Sequence, residues 1–207
     1  VNAKVNSLQA AYLNDSATAT ASLAKLRRAV NAGPGTDPSV WFETLDGVPA
    51  ALLGRGDAPS PYETAIHASV TLHAIHQQSQ RVRMHQLGYP VGRAIRLLAK
   101  RISGGVSGND SPVMRRFRAL ATASSLAETT RHLRGLVTQL RGEAIPLDYG
   151  LLARDLRRLQ HPGTAPGVRL QWGRDYHRLG TDPAQAGETA STNDDEEPTD
   201  ASTGDPA

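Results

Sequence analysis

The 207-residue sequence contains no cysteine, which excludes disulfide frameworks, zinc–thiolate sites and thiol nucleophiles. Aromatic residues make up only 4% of it, so few rings are available for a core or for stacking platforms. No run of about 18 apolar residues is present to span a bilayer, and no signal-peptide pattern opens the sequence. The expectation is a soluble, cytoplasmic protein. Lysine is nearly missing: only Lys4, Lys25 and Lys100 stand among 23 basic residues. Strand-like alternation and fixed-period repeats are also absent.

Chemistry-bearing patterns are equally scarce. No serine sits in a Gly-x-Ser-x-Gly elbow, and carboxylates are not paired for acid–base hydrolysis. The glycines of 103–108 have the wrong spacing for a phosphate-binding loop, and no Lys-Ser/Thr follows them. His67, His73, His76 and His85 fall on one predicted helix, and His73 and His76 share a side. A metal would need a further carboxylate or histidine at ligand spacing. Glu63 precedes His67 by four, as Glu128 does His132, which is not the Glu-x-x-His of di-iron bundles. No metal and no cofactor are expected, and the histidines read as half-buried, hydrogen-bonded core residues. Nothing requests an enzyme.

What is present is charge segregated along the chain. All 23 lysines and arginines lie at or before Arg178, against 12 acids, which leaves that stretch formally at +11. The other eight acids are Asp182, Glu188, Asp194, Asp195, Glu196, Glu197, Asp200 and Asp205. Residues 180–207 contain no Leu, Ile, Val or aromatic residue. They cannot bury enough to offset ordering entropy and are expected to form a disordered acidic tail behind a domain over 1–179.

Within 1–179 the periodicity is helical, and the fold class is all-α: a compact multi-helix bundle of seven to nine helices. Residues 5–31 are helical, with Asn14, Asp15 and Ser16 ending one helix or capping the next. Asp37 or Thr36 caps a short helix in which Trp41, Phe42 and Leu45 are expected to anchor the core. Ser60 and Glu63 form a capping box with Pro61 at the first helical position. The longest helix starts there and is expected to reach Leu87, stopped by Gly88. Its predicted face is Ile66, Val70, His73, Gln77 and Met84. Val91, Ile95, Leu98 and Ile102 define the next helix.

Residues 109–142 read as two helices. Ser111 caps the first, whose apolar face is Val113, Phe117, Leu120 and Ala121. Ser125 and Glu128 form a capping box for the second, whose face is Leu126, Leu133, Leu136, Val137 and Leu140. Asp148 caps a helix that buries Leu151, Leu152, Leu156 and Leu159. A short segment, 168–179, carries Trp172 and Tyr176.

Five of these helices set basic residues apart from the apolar face. The candidate nucleic-acid-binding residues are Arg27, Arg28, Arg93, Arg96, Lys100, Arg115, Arg116, Arg118, Arg131, Arg134 and Arg141. Lys25, Arg154, Arg157 and Arg158 belong to the same pattern. Ordinary surfaces mix signs, and these barely do. Arginine forks onto phosphate, so the pattern points to nucleic-acid backbone read without base specificity. A helical scaffold whose basic faces dock acidic protein partners is the alternative.

Several short motifs occur in order: Ser22-Leu23-Ala24-Lys25-Leu26-Arg27-Arg28, His76-Gln77-Gln78-Ser79, Met84-His85, Gly92-Arg93-Ala94 and Arg116-Phe117. They continue with His132-Leu133-Arg134-Gly135-Leu136-Val137, then Asp148-Tyr149 to Asp155-Leu156, and Trp172-Gly173-Arg174-Asp175-Tyr176. In this order and spacing the sequence resembles, over residues 8–179, the small CasB-type subunit of the type I-E CRISPR Cascade surveillance complex. The resemblance implies a non-catalytic helical subunit of antiviral defence, present as two copies placed head to tail. It implies contacts with the repeated backbone subunits that hold the guide RNA and with the large subunit. It also implies a basic surface that holds target and non-target DNA strands and steadies the R-loop. By position it points first to Arg27, Arg28, Arg93, Arg115, Arg116, Arg134 and Arg141. The acidic tail has no counterpart in the resemblance.

Overall fold

A computed structural model describes residues 1–102 and 111–178. The glycine-containing stretch 103–108 and the expected acidic tail lie outside the described residues. Among those residues the backbone forms nine α-helices, two 3-10 turns and no strand. The helices are α1 (Asn2–Leu13), α2 (Ala17–Ala29), α3 (Trp41–Thr44), α4 (Pro61–Gln77), α5 (Val91–Ile102), α6 (Pro112–Thr122), α7 (Leu126–Gly142), α8 (Tyr149–Leu159) and α9 (Ala165–His177).

Capping sets most of these boundaries. Ser16 ends the α1–α2 break by accepting from the Ala19 N–H at 3.3 Å. The Ser60 hydroxyl accepts from the Glu63 N–H, and the Glu63 carboxylate accepts from the Ser60 N–H at 2.6 Å, so both halves of the capping box form. Asp148 accepts from the N–H groups of Gly150 and Leu151, each at 3.0 Å. At α7 only half of the expected box forms. Ser125 accepts from the Glu128 N–H, but the Glu128 carboxylate reaches the backbone N–H and hydroxyl of Ser124 instead.

Helix α4 is the axis of the fold. It packs against α2, α7 and α8, with α1 and α3 at its margins. From His67 to Gln77 every residue is buried. The expected single face is therefore replaced by burial all round, which is what a central helix requires. Helix α5 packs on α9 at close range. A Cβ on Gly92 would lie 2.1 Å from the Trp172 carbonyl oxygen, so only glycine permits the approach. Trp172 in turn donates its indole N–H to Asp155 of α8 at 2.8 Å. Phe117 of α6 stacks on Tyr176 of α9 at 5.4 Å.

Further expectations fail. The long helix ends at Gln77, ten residues early, because the buried Gln77 amide serves the backbone that follows. Its N–H groups reach the carbonyls of Gln80 and Val82, and its oxygen accepts from the Met84 N–H. Ser79, at φ +59°, makes the turn this needs. The released, extended segment is fastened by Gln9, which exchanges two 3.0 Å bonds with the His85 backbone, and by a bridge to Leu147.

Trp41 and Phe42 are not core anchors: they are 46% and 74% exposed. Helix α3 is four residues long and turns Val40 and Thr44 inward instead. Phe42 lies under the Lys4 ammonium at 5.6 Å. Ile102 is exposed although Val91, Ile95 and Leu98 are buried as expected. The last segment is a full helix, α9, longer than expected because Thr164 and Pro166 start it before Val168.

The histidines are fully rather than half buried. His85 leaves the helix altogether and joins His73 and His76 around the Tyr149 ring, at centroid distances of 6.2, 5.1 and 5.9 Å. Two backbone groups lie within reach of the His85 Nδ1, and the tautomer selects between them: unprotonated, it accepts from the Tyr149 N–H at 3.2 Å, and protonated, it donates to the Leu147 carbonyl at 3.3 Å. Among the described residues, His73 has no hydrogen-bond partner at either ring nitrogen. Burial pushes all three, and His67, below the ordinary 6.5, with His76 at about 3.

Candidate nucleic-acid interface

The C-terminal half of α2, the end of α4 and the second half of α7 surround an open cleft of ≈ 450 Å³. Each element contributes through its pattern. On α2 the apolar face of Leu23, Leu26 and Ala29 is buried, which leaves Arg27 and Arg28 at the side and outside. On α7 the face of Leu133, Leu136, Val137 and Leu140 is buried, and Arg134, Thr138 and Arg141 form the neighbouring stripe. Two predicted basic faces, far apart in sequence, thus meet: Arg27, Arg28, Arg134 and Arg141 line the cleft with Ala24, Ile75, Gln78 and Thr138.

No acidic side chain lines this cleft, and none of its four arginines forms an ion pair among the described residues. Two are held in place by neutral acceptors. Arg134 donates to the Asn31 side-chain oxygen at 2.7 Å. Arg141 donates to the Ile75 carbonyl at 3.3 Å and to the Gln78 side-chain oxygen at 2.9 Å. Neutral partners orient a guanidinium without cancelling its charge, so the positive potential of the cleft is undiminished. Outside the lining, the Asp37 carboxyl is held low first by its hydrogen bonds from Ser39 and last by the charges of Arg28 and Lys25.

The remaining candidates are distributed differently. Arg131 and Arg134 border a second, mostly apolar hollow of ≈ 380 Å³ behind the loop 30–34, so Arg134 joins the two. Arg131 also lies 3.9 Å from Glu128. Arg93 donates to the Gly88 carbonyl and stacks on Tyr89 at 4.2 Å. Arg96 donates to the Arg178 carbonyl at the end of α9. Lys100, Arg115, Arg116 and Arg118 are exposed on α5 and α6 and do not line the cleft. On α8, Arg154 lies beside the buried Asp155, and Arg157 covers the Tyr62 ring at 5.1 Å.

Sequence reasoning missed two polar groups of the site, Asn31 and Gln78, whereas Thr138 falls at i+7 in the stripe that Arg131, Arg134 and Arg141 form on α7. Gln78 and Asn31 act as orienting acceptors at the ends of α4 and α2, and only the true end of α4 brings Gln78 there. Among the described residues no group of three or more His, Asp or Glu is placed to hold a metal ion. No described helix is long and apolar enough to cross a membrane.

Fold and cleft define a class: an all-α protein with a buried polar axis and a concave, arginine-lined surface suited to a polyanion. The chain belongs to the family of CRISPR-associated protein Cse2, whose profile matches residues 22–177. It is similar to CasB from Thermobifida fusca, a crystal structure, with 36% identity and a TM-score of 0.68. That likeness covers 84% of this chain and 93% of the other. A chain of a solved CRISPR RNA-guided surveillance complex is 27% identical, with a TM-score of 0.61, over 86% of this chain and 91% of that one. A Cse2-family protein from Thermus thermophilus, 23% identical with a TM-score of 0.59, shares the fold over 84% of this chain and 96% of its own. No curated protein matches the chain.

Proposed function

We propose that this chain is the small subunit of a Cascade-type, RNA-guided DNA surveillance complex, and that it works by holding nucleic-acid backbone rather than by catalysis. The observation that carries this reading is the cleft in which Arg27, Arg28, Arg134 and Arg141 converge with no carboxylate among them. Four guanidinium groups on two rigid helices present forks for successive phosphates of an unpaired or partly unpaired strand. Exchange of a DNA duplex for an RNA–DNA hybrid is near energetic balance, so modest backbone contacts tip it. Membership of the Cse2 family and the likeness to a surveillance-complex chain support the assembly. The partners are then the guide RNA, the target and non-target DNA strands, the repeated backbone subunits, the large subunit and a second copy of the chain. The setting is cytoplasmic antiviral defence.

A contribution from protein contacts at a second surface is supported by Trp41 and Phe42, whose exposed rings suit a subunit interface better than solvent. The test of the main reading is R-loop yield in the assembled complex with Arg27→Ala and Arg134→Ala together. The expected result is a clear loss of R-loop with assembly intact. Full yield would remove the cleft from the function and leave the scaffold role.

A further inference from the structure

The cleft poses a question of occupancy when no nucleic acid is bound. Four arginines facing one concavity repel each other, and nothing in the lining offsets them. The same chain carries a matching polyanion. Asp194, Asp195, Glu196 and Glu197 form an unbroken acidic run inside a stretch, 180–207, that has eight acids and no lysine or arginine.

We infer that this acidic run binds the α2–α7 cleft of its own chain and competes there with nucleic-acid phosphate. Three observations carry the inference. The first is complementarity of charge: four consecutive carboxylates against four arginines that make no ion pair among the described residues. Arginine recognises carboxylate and phosphate with the same fork, so one cleft accepts both.

The second is the state of other arginines. Arg81 pairs with Asp15, Arg131 with Glu128, Arg154 with Asp155 and Arg178 with Asp175. A run of carboxylates gains most where several cations share one concavity and lack such partners.

The third is reach. Residues 179–194 connect the end of α9 to the run. A chain of that length spans up to about 50 Å when extended and about 20 Å as a coil. A folded body of this size has a radius of gyration of about 16 Å. The extended connector is therefore longer than the body is wide, and where the run meets the surface its effective concentration is in the millimolar range. The composition of 180–207 has nothing to bury, so charge is its only means of docking.

The contact is electrostatic and weak, which suits displacement by a strand carrying many phosphates. It would set a threshold: short or isolated anions are excluded, and a long strand held by the rest of the complex replaces the tail. The inference rests on the cleft described above, and its test separates it from the nucleic-acid reading.

The chain has no cysteine, so Thr199→Cys gives a single site for a nitroxide label. Paramagnetic broadening of backbone amides in the full-length protein is expected to concentrate at Arg27, Arg28, Arg134, Thr138 and Arg141. It should vanish in about 0.5 M salt, where the Debye length is only a few ångströms. It should also vanish when Asp194, Asp195, Glu196 and Glu197 are replaced by Asn and Gln. Broadening that is absent, or spread evenly over the surface, overturns the inference. Broadening seen only between labelled and unlabelled copies overturns the contact in cis.

Binding supplies the second arm. Truncation after Arg178 is expected to tighten single-stranded DNA binding by about tenfold at low salt, the scale of a tethered competitor. Equal affinity of both forms for DNA overturns the competition. If neither form binds DNA while the broadening persists, the nucleic-acid reading falls and the tail contact stands.

Discussion

Arg141 donates to the side-chain oxygen of Gln78 across 2.9 Å, tying the last turn of α7 to the residue that closes α4. The same guanidinium reaches the Ile75 carbonyl at 3.3 Å, which also accepts from the Gln78 N–H that closes α4. Arg141 therefore serves both the fold and the cleft, whereas the Arg134 guanidinium hydrogen-bonds, among the described residues, to Asn31 alone. Arg141→Ala is expected to lower stability by about 1 kcal/mol. Arg134→Ala should stay within about 0.5 kcal/mol of wild type. Both should weaken strand binding. Urea denaturation and a binding titration on the two variants check this, and the reverse order of stabilities would contradict it.

The buried histidines make stability depend on acid. His67, His73, His76 and His85 are held below the ordinary 6.5 by burial, so the fold takes up protons less readily than the unfolded chain. Their contribution is complete above about pH 6.5 and falls as pH drops toward the folded values, about 3 for His76. Each adds a slope of up to about 1.4 kcal/mol per pH unit in that window. His73→Leu removes a group with no partner at either nitrogen. It is expected to leave stability at pH 7 unchanged or higher and to flatten the acid slope by about one proton. Urea midpoints between about pH 7 and about pH 4.5 measure both effects.

Gln77 organises the turn that the sequence did not announce. Gln77→Leu strands the Met84 N–H and the carbonyls of Gln80 and Val82. A loss of about 2 kcal/mol or more is expected, with proteolysis appearing in 78–84. Limited proteolysis followed by mass analysis reports the site of cutting. Cutting elsewhere would place the weak point outside this turn.

Gly92→Ala sets two effects against each other. Alanine favours the helix by about 1 kcal/mol. Its Cβ, however, would enter the Trp172 carbonyl at 2.1 Å, and backbone cannot swing aside. A net loss of about 2 kcal/mol is expected, as for other overpacked sites. Trp172 fluorescence during unfolding is the readout. A stabilised variant would mean that α5 and α9 separate easily.

How much of this was legible in sequence depended on distance along the chain. Local signals carried well: Ser16, Ser60, Ser111 and Asp148 cap helices where their spacing predicts. The apolar stripes of α6 and α7 also emerged as buried faces. What failed required partners elsewhere. The end of α4 depends on a buried amide and on Gln9, 76 residues from His85. Apolar periodicity cannot report such a lock: Met84 and His85 are buried although they lie outside the helix. Trp41 and Phe42 mislead because hydrophobicity alone does not reveal that α3 is too short to turn them inward. Both halves of the cleft were visible as basic stripes, but their meeting is set by how α2 and α7 pack on α4. No periodicity separates Arg134, which joins the cleft, from Arg96, which binds an α9 carbonyl.

The central claim is that Arg27, Arg28, Arg134 and Arg141 act together on nucleic-acid backbone. The most direct measurement is the salt dependence of single-stranded DNA affinity, compared between wild type and Arg27→Ala/Arg134→Ala. Each phosphate contact contributes a slope of about 0.7 in log affinity against log salt. The double variant is expected to lose about 1.4 of the wild-type slope while its fold stays intact. An unchanged slope with weakened or equal affinity would contradict it.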